Sequence, residues 1–578
     1  MKEQRVKGWW LIRLALTIVG KKGLAELRRA SKDARQTQEN VLRSFLTNSK
    51  DTVYGKEHNF SAILESPGQE IFAAYKKNVP INDYEDLRPY VERHKNGEAD
   101  ILFPGKPKMY GTTSGTTREP KWIPITERYY QDVYKKLNQQ WFYTLIQNKP
   151  KVFYGKTLSI VGKAIEGAAP DGTVYGSISG ISQRDIPHFM EDLHPAPADI
   201  FHIANYKARY YAIMRMGIER DVTLIITANP STLVEMQTNA NEFFDEYVQD
   251  IEGGTLSRRF PIPDAIRSVL EARLKPNPAR AEELRQLKVR HGTVLPKHYW
   301  PRMQIVNVWM CGNTSVYLEK IRDSFPEHTV FHEFGYFSTE CKAGLVLKSN
   351  TLDTVPCGHM TYFEFIHESE TEQKNPKVYQ LWELKKGEQY CPIVTTSAGL
   401  YRYNMTDLVE VTGFYHQYPL IKFVQKVNGT ISLTGEKLNE RQFIEAVRNC
   451  SHEMGLPISF FVGFASAEKS NYRFYYEFVD QTISAERAEE FTRAVDTRLR
   501  EYNTEYESKR SSNRVKAPDT SRLVKDSFEQ FKAACIDKGY RDGQFKLNLL
   551  MLDANRQGIF VQMVLHLPPP PPPQHTRA

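Results

Sequence analysis

The chain has 578 residues, 40% of them hydrophobic and 25% charged, the balance of a soluble globular protein too long for one ordinary core. Its formal charge of +8 is diluted over the whole length without a concentrated basic arm, so nucleic acid is not an expected partner. Six cysteines (Cys311, Cys341, Cys357, Cys391, Cys450 and Cys535) are scattered without a CxxC pair, which argues against structural zinc and fits a reducing, cytoplasmic setting.

The first predicted element is Trp9 to Gly20, WWLIRLALTIVG, apolar but interrupted by Arg13. It falls short of the roughly 20 apolar residues that span a bilayer. No small-residue cleavage site follows it, which weakens a signal-peptide reading. An amphipathic helix packed on the body is expected and membrane contact is not; peripheral contact through Trp9 and Trp10 is the alternative. Residues 24–49 read as one helix, from Leu24, Leu27, Ala30, Val41, Leu42, Phe45 and Leu46 at helical spacing. Asn82 or Asp83 caps a further helix, and Ile101–Phe103 reads as a short strand before a Pro104-Gly105 turn.

Tyr110 to Thr126, YGTTSGTTREPKWIPIT, concentrates two glycines, five threonines and one serine in front of a basic turn. Gly111 and Gly115 let backbone amides approach a ligand closely. The hydroxyls of Thr112, Thr113, Ser114, Thr116 and Thr117 add donors, Lys121 adds a charge, and successive amides in such a loop make an anion-binding concavity. It is not a Walker loop, since no Gly-Lys-Ser/Thr closes it. A polar surface turn between strands is the other reading of the same residues.

Residues 127–148 form a predicted helix rich in aromatics, read as core packing or pocket lining. Val222–Thr227, Met303–Val308 and Val330–Phe334 read as buried strands, with a helix opening at residues 229–232. Their alternation with helices predicts an α/β domain with a largely parallel sheet, whose ligands gather on loops at the carboxyl ends of the strands. Two such loops stand out. Phe334 to Glu340, FGYFSTE, offers a glycine, aromatics, two hydroxyls and a carboxylate; Gly399 to Asp407, GLYRYNMTD, ends in an aspartate able to take two hydrogen bonds from ribose hydroxyls. The first is equally readable as a buried strand-end aromatic with a solvated glutamate, the second as a turn aspartate.

After Phe423 the character changes. A turn at 425–429 leads to a helix from Glu440, a hairpin within 457–480, a helix over 485–503, a solvated basic loop at 508–513 and a helix over 524–538. This α+β unit has an ordinary domain size. The tail Pro568–Pro573 reads as a polyproline helix, unbound or engaged by a polyproline-binding partner.

In order and spacing, TTSGTTREPKWIPIT, GYFSTE, the MTYFEF run at 360–365, GLYRYNMTDLVEVTGFY, LTGEKLNE at 433–440 and GQFK at 543–546 resemble the acyl acid amido synthetases of the auxin-responsive family, adenylate-forming enzymes. The segment Val79 to Leu87 resembles the family's entry segment, and the likeness covers most of the chain. The resemblance implies an α/β fold: a large adenylating domain with mixed or parallel sheets over 1–425, a smaller mobile α+β lid over 426–566, and a disordered proline-rich tail over 567–578. It implies a ligase that uses ATP and Mg²⁺ to adenylate a carboxylic acid and then passes the acyl group to an amine, usually of an amino acid. By the same resemblance Thr112, Thr113, Ser114, Gly115, Thr116, Thr117 and Lys121 hold phosphates, and Gly335 and Tyr336 lie against adenine. Thr339 contacts the α-phosphate, Glu340 ligates Mg²⁺, Asp407 takes the ribose hydroxyls, Lys426 sits near the ribose, and Lys546 is the catalytic lysine of the mobile domain. Phe363 and the aromatic helix are candidates for the acyl pocket. Arg118, Cys341 and Met405-Thr406 depart from the family's usual residues. Two rival readings stand beside this one: an acyl-thioester ligase, and a non-catalytic ATP-binding descendant.

Overall fold

A computed structural model describes residues 6–565, apart from 114–120, 229, 312–317, 319–320, 428–429, 432, 434–435, 437, 467–468, 512–514, 538–547 and 552–553. The chain divides into two compact units, Met1–Val424 and Gln425–Ala578.

The first unit opens with two helices, Trp9–Ala30 and Ala34–Ser49, where the sequence suggested one over 24–49. Asp33 breaks the run: its carboxylate accepts from the Gln36 N–H and caps the second helix. The helix Tyr84–Lys95 begins as expected, with Asp83 and Asp86 forming a reciprocal capping box. Ile101–Phe103 is not a strand. The Leu102 N–H donates to His94 Nε2 (3.1 Å) and its carbonyl accepts from the Tyr401 hydroxyl (2.6 Å), so side chains satisfy a backbone that finds no ladder.

A four-stranded sheet, in the order Lys156–Ile160, Val222–Thr227, Ile305–Asn307, Val330–His332, is parallel throughout. Its near-continuous apolar strands are buried, as helix-covered parallel sheets require. This is the sheet expected from the alternating strands and helices. A larger, eight-stranded sheet lies outside that expectation. It is built from segments between Gly344 and Lys426, and its described pairings are antiparallel, Tyr362–His367 lying between Val378–Gln380 and Gln389–Thr395. A third, small sheet pairs Met109–Thr113 antiparallel with Lys121–Ile125 and parallel with Val174–Gly176. The aromatic helix forms over Glu127–Asn148, capped by Thr126, but its turn Tyr130–Lys135 is π-helical. Single π turns of this kind cluster at functional sites.

The second unit carries a four-stranded sheet in the order Asp519–Arg522, Asn471–Phe478, Ile458–Ser466, Leu550–Met551; the central hairpin is antiparallel and both edges are parallel. The helices Glu440–Glu453, Ala485–Tyr502 and Ser527–Asp537 occupy the predicted stretches. Of the predicted basic loop at 508–513, residues 508–511 end the helix Thr504–Ser511, whose Arg510 reaches back to hold Asp496 through both Nε and Nη2, and 512–513 lie outside the described residues. The 543–546 motif and the proline tail lie outside the described residues.

Candidate active site

The site is assembled by three segments of the first unit. The hydroxyl-rich stretch enters through strand Met109–Thr113 and leaves through Lys121–Ile125, with Thr112 facing Trp122 and Thr113 facing Lys121. Ser114, Gly115, Thr116, Thr117 and Arg118 lie outside the described residues, but the hairpin fixes both stems. Thr112 is buried. Lys121 is half-buried, and its ammonium donates to the Tyr403 hydroxyl (3.3 Å) between the rings of Tyr84 and Tyr403. Gly111 is required by closeness: a Cβ there would come within 2.5 Å of Thr339 Cγ2.

The second segment follows strand Val330–His332. Gly335 has φ +97°, and a Cβ would strike the Gly344 carbonyl at 2.7 Å, so only glycine makes this corner. Beyond it the Ser338 N–H donates to the Cys341 carbonyl (3.0 Å) and the Cys341 N–H to Ser338 Oγ (3.2 Å), closing a tight turn with Thr339 and Glu340 at its tip. Tyr336 points inward, and its hydroxyl donates to Asp407 Oδ2 at 2.7 Å, both side chains being buried. Burial and then the Asp407 charge hold this phenol protonated, its pKa well above the ordinary value. Asp407 opens strand Asp407–Tyr415, after Thr406 at φ +53°.

The structure therefore brings Thr339, Glu340, Tyr336, Asp407, Lys121 and the stems of the hydroxyl-rich loop around Tyr403. Burial first, and then the charges of Glu340, Asp83 and Asp407, raise the Tyr403 phenol. Lys426, exposed at the end of strand Tyr418–Lys426, falls in the second unit, and Lys546 lies outside the described residues. Phe363 is fully buried in the antiparallel sheet, stacked on Phe365.

Several residues that hold the site escaped sequence reasoning. Arg402, at φ +43°, donates from Nε to Glu364 Oε2 (2.8 Å) and from Nη1 to the Val79 carbonyl (2.7 Å), in full burial. Asn82 donates to the Tyr401 carbonyl (2.7 Å) and the Tyr54 hydroxyl (2.8 Å), while backbone bonds join it to Arg402 and Asn404. The entry segment is thus a clasp on the loop that delivers Asp407. Glu333, at the foot of the FGYFSTE loop, accepts from the Met310 N–H (2.5 Å) and the Gly335 N–H (3.3 Å); burial pushes its carboxyl up to about 7. Lys342, two residues past Glu340, is buried among Tyr134, Trp141 and Phe337 with Asn138 Oδ1 accepting from its ammonium, and burial pushes it down to about 7. The π-helical turn that carries Tyr134 thus forms one side of this cage. Its only sequence signal is a lysine following FSTEC.

This fold, a first unit in which a parallel sheet leads into the FGYFSTE loop and an antiparallel sheet carries Asp407, followed in the chain by a smaller α+β unit, is that of the adenylate-forming ligases. It matches the structure of a 2-hydroxyisobutyryl-CoA ligase in its post-adenylation state with a TM-score of 0.52, at 10% identity over 91% of each chain. It matches the structure of the GH3.15 acyl acid amido synthetase with a TM-score of 0.82, at 21% identity over 94% of this chain and 96% of that one. The chain belongs to the GH3 family: the GH3 N-terminal domain matches residues 23–330, the central domain 354–426 and the C-terminal domain 441–555. It is 25% identical to the indole-3-acetic acid-amido synthetase GH3.3 of Arabidopsis thaliana, over 91% of both chains. It is 24% identical to the jasmonoyl–L-amino acid synthetase JAR4 of Nicotiana attenuata, over 78% of this chain and 81% of the relative.

Proposed function

We propose that this chain is an ATP-dependent acyl acid amido synthetase, a ligase that adenylates a carboxylic acid and passes the acyl group to the amine of an amino acid. One observation carries the reading. In a GH3-family chain, the Tyr336–Asp407 pair lies beside the Thr339–Glu340 turn, and that turn packs against the glycine strand of the hydroxyl-rich loop. Relatives named for indole-3-acetic acid and for jasmonoyl conjugation support a carboxylic acid donor and an amino acid acceptor.

In this reading Thr112, Thr113, Ser114, Gly115, Thr116, Thr117 and Lys121 bind the β- and γ-phosphates through amides, hydroxyls and one ammonium. Gly335 and Tyr336 lie along adenine. Asp407, already accepting from Tyr336, takes the ribose hydroxyls, and Lys426 is the basic residue that the family resemblance assigns to the ribose. Thr339 donates to the reacting phosphate. Lys546 is the lysine that the family resemblance assigns to adenylation; an ammonium there stabilises the charge that develops on phosphorus.

Glu340 is the residue to hold Mg²⁺. Its half-buried carboxylate has no hydrogen-bond or ion-pair partner among the described residues, and no cluster of three or more His, Cys, Asp or Glu side chains stands there among them. That donor set suits a cation that takes its other ligands from phosphate oxygens and water. When bound, the cation neutralises phosphate charge. The free thiol state of all six cysteines fits work in the cytoplasm.

The test offers an acid, ATP, a mixture of amino acids and a coenzyme-A-type thiol side by side and reads the product by mass. An amide is expected. A thioester would move the chain to the acyl-thioester ligases, and tight ATP binding with neither product would make it a non-catalytic descendant. Lys546→Ala is expected to abolish adenylation with thermal unfolding unchanged; wild-type turnover in that variant would remove its role.

A further inference from the structure

The N-terminal helix Trp9–Ala30 has two faces of unlike fate. Ile12, Leu16, Gly20, Gly23, Leu27 and Ala30 are buried, and the helix packs on Lys136–Asn148 so closely that a Cβ at Gly20 would meet Tyr143 Cβ at 2.2 Å. Trp9 turns inward, half-buried, and its ring meets that of Tyr154 at a tilt, 4.3 Å between centroids. The opposite face points away from the body. On it Trp10 is 56% exposed, Leu11 49%, Leu14 51% and Ile18 62%. These residues fall at i, i+1, i+4 and i+8 and so share one stripe. Val19 is exposed beside them on the same helix, whereas the remaining large exposed hydrophobics of the described residues, such as Ile165, Val289 and Phe414, stand far apart in the sequence.

The same stripe continues into Lys21, Lys22, Arg28 and Arg29, all exposed, and Lys7 precedes it. Between residues 6 and 30 the one acid is Glu26, which is half-buried. The outward face is therefore apolar over two and a half turns and basic over the next two. The residues carrying the apolar part also lie outside the match to the family domain, which begins at residue 23. No helix of the described residues is long and apolar enough to cross a membrane.

We propose that this face is a docking surface for an anionic phospholipid bilayer, with the helix lying in the plane of the interface. Trp10, Leu11, Leu14 and Ile18 enter the headgroup–acyl boundary, and Lys7, Lys21, Lys22, Arg28 and Arg29 meet the anionic headgroups. Charge selects this occupant over a second copy of the chain. Two such helices paired in parallel would bring their basic ends together, and paired antiparallel would seat each basic half on the other's apolar half, leaving the cations without counter-charge. A bilayer supplies both an apolar phase and a plane of negative charge. Trp10, and not Trp9, is the tryptophan that reaches the lipid.

The test is flotation of the full chain with vesicles of phosphatidylcholine alone and of phosphatidylcholine mixed with phosphatidylglycerol. The chain is expected to float with the anionic vesicles, to lose binding as salt rises, and to stay behind with the neutral ones. Leu14→Glu with Ile18→Glu changes exposed positions only and is expected to abolish flotation without moving the thermal unfolding midpoint; Lys21→Glu with Lys22→Glu is expected to abolish the preference for anionic lipid. Three results would overturn the proposal: no flotation with either vesicle, unchanged flotation of the Leu14→Glu/Ile18→Glu variant, or a dimer in solution that this variant converts to monomer, which would assign the face to a second copy.

Discussion

The first unit contains two hydrophobic clusters that place their polar groups differently. One surrounds the parallel sheet, with Leu158, Ile225, Val306 and Phe331 at its strands. Its buried ions tie segments within one stretch of the chain: Arg215 pairs with Glu219 and donates to the carbonyls of Asp250 and Thr255, and Arg280 donates to the carbonyls of Ile218 and Tyr299. The other cluster lies under the candidate site and includes Tyr110, Tyr336, Phe363, Tyr401 and Tyr403. Its buried polar groups join segments far apart in the chain. Arg402 takes the Val79 carbonyl, Tyr75 bonds to Thr395, and Gln38 donates to the Thr361 carbonyl and accepts from the Phe363 N–H. The difference shows what each polar group does. In the parallel-sheet cluster these ions join elements at most 62 residues apart; under the site these groups join segments more than 300 residues apart and so fix the spacing of the loops there.

The comparison breaks most visibly at Arg402. Arg402→Ala leaves Glu364 buried and uncompensated and is expected to cost about 3–5 kcal/mol in denaturant unfolding. It is also expected to reduce the activity of whatever fraction stays folded. Arg215→Ala in the other cluster should destabilise comparably and leave turnover per folded molecule unchanged; equal loss of turnover in both would erase the distinction.

Next in size is a pH effect. His94 Nε2 accepts from the Leu102 N–H and its Nδ1 faces the Glu98 carbonyl at 3.1 Å, so the ring is neutral in the fold, and burial pushes its pKa down to about 4. Its contribution is complete above the unfolded value near 6.5 and is lost as pH falls from there toward 4, about 3 kcal/mol for a full shift of this size. His94→Gln is expected to flatten that acid limb of the stability profile, measured as unfolding midpoint against pH.

Tyr336→Phe removes a hydrogen bond to a carboxylate and is expected to cost about 2 kcal/mol, with weaker nucleotide binding measured by calorimetry. Ile225→Val, in the middle of the parallel sheet, is expected to cost only about 1 kcal/mol and to leave nucleotide binding untouched.

The contrast between the clusters also explains what was legible in the sequence. VTLIIT gives a buried strand because an apolar run needs no knowledge of its partner. The hydroxyl-rich stretch, FGYFSTE and NMTD stand out because each packs its functional groups into a few consecutive residues. The clasp of Asn82 and Arg402 was hidden because Asn82 reads as a helix cap and Arg402 as a surface cation, and their partners come from the other end of the unit. Lys342 was hidden for the same reason, since Phe337 nearby does not announce that Tyr134, Asn138 and Trp141, about 200 positions earlier, complete its cage. Arg510 shows the effect at short range: its tie to Asp496 turns an apparently solvated basic run into the end of a helix.

The most direct test of the account is ATP–pyrophosphate exchange with a panel of aryl, indole-type and fatty carboxylic acids, run on the wild type and on Asp407→Asn. Exchange with at least one acid in the wild type, and its loss in folded Asp407→Asn, is the predicted result. Absence of exchange across the panel from folded protein that binds ATP would contradict it.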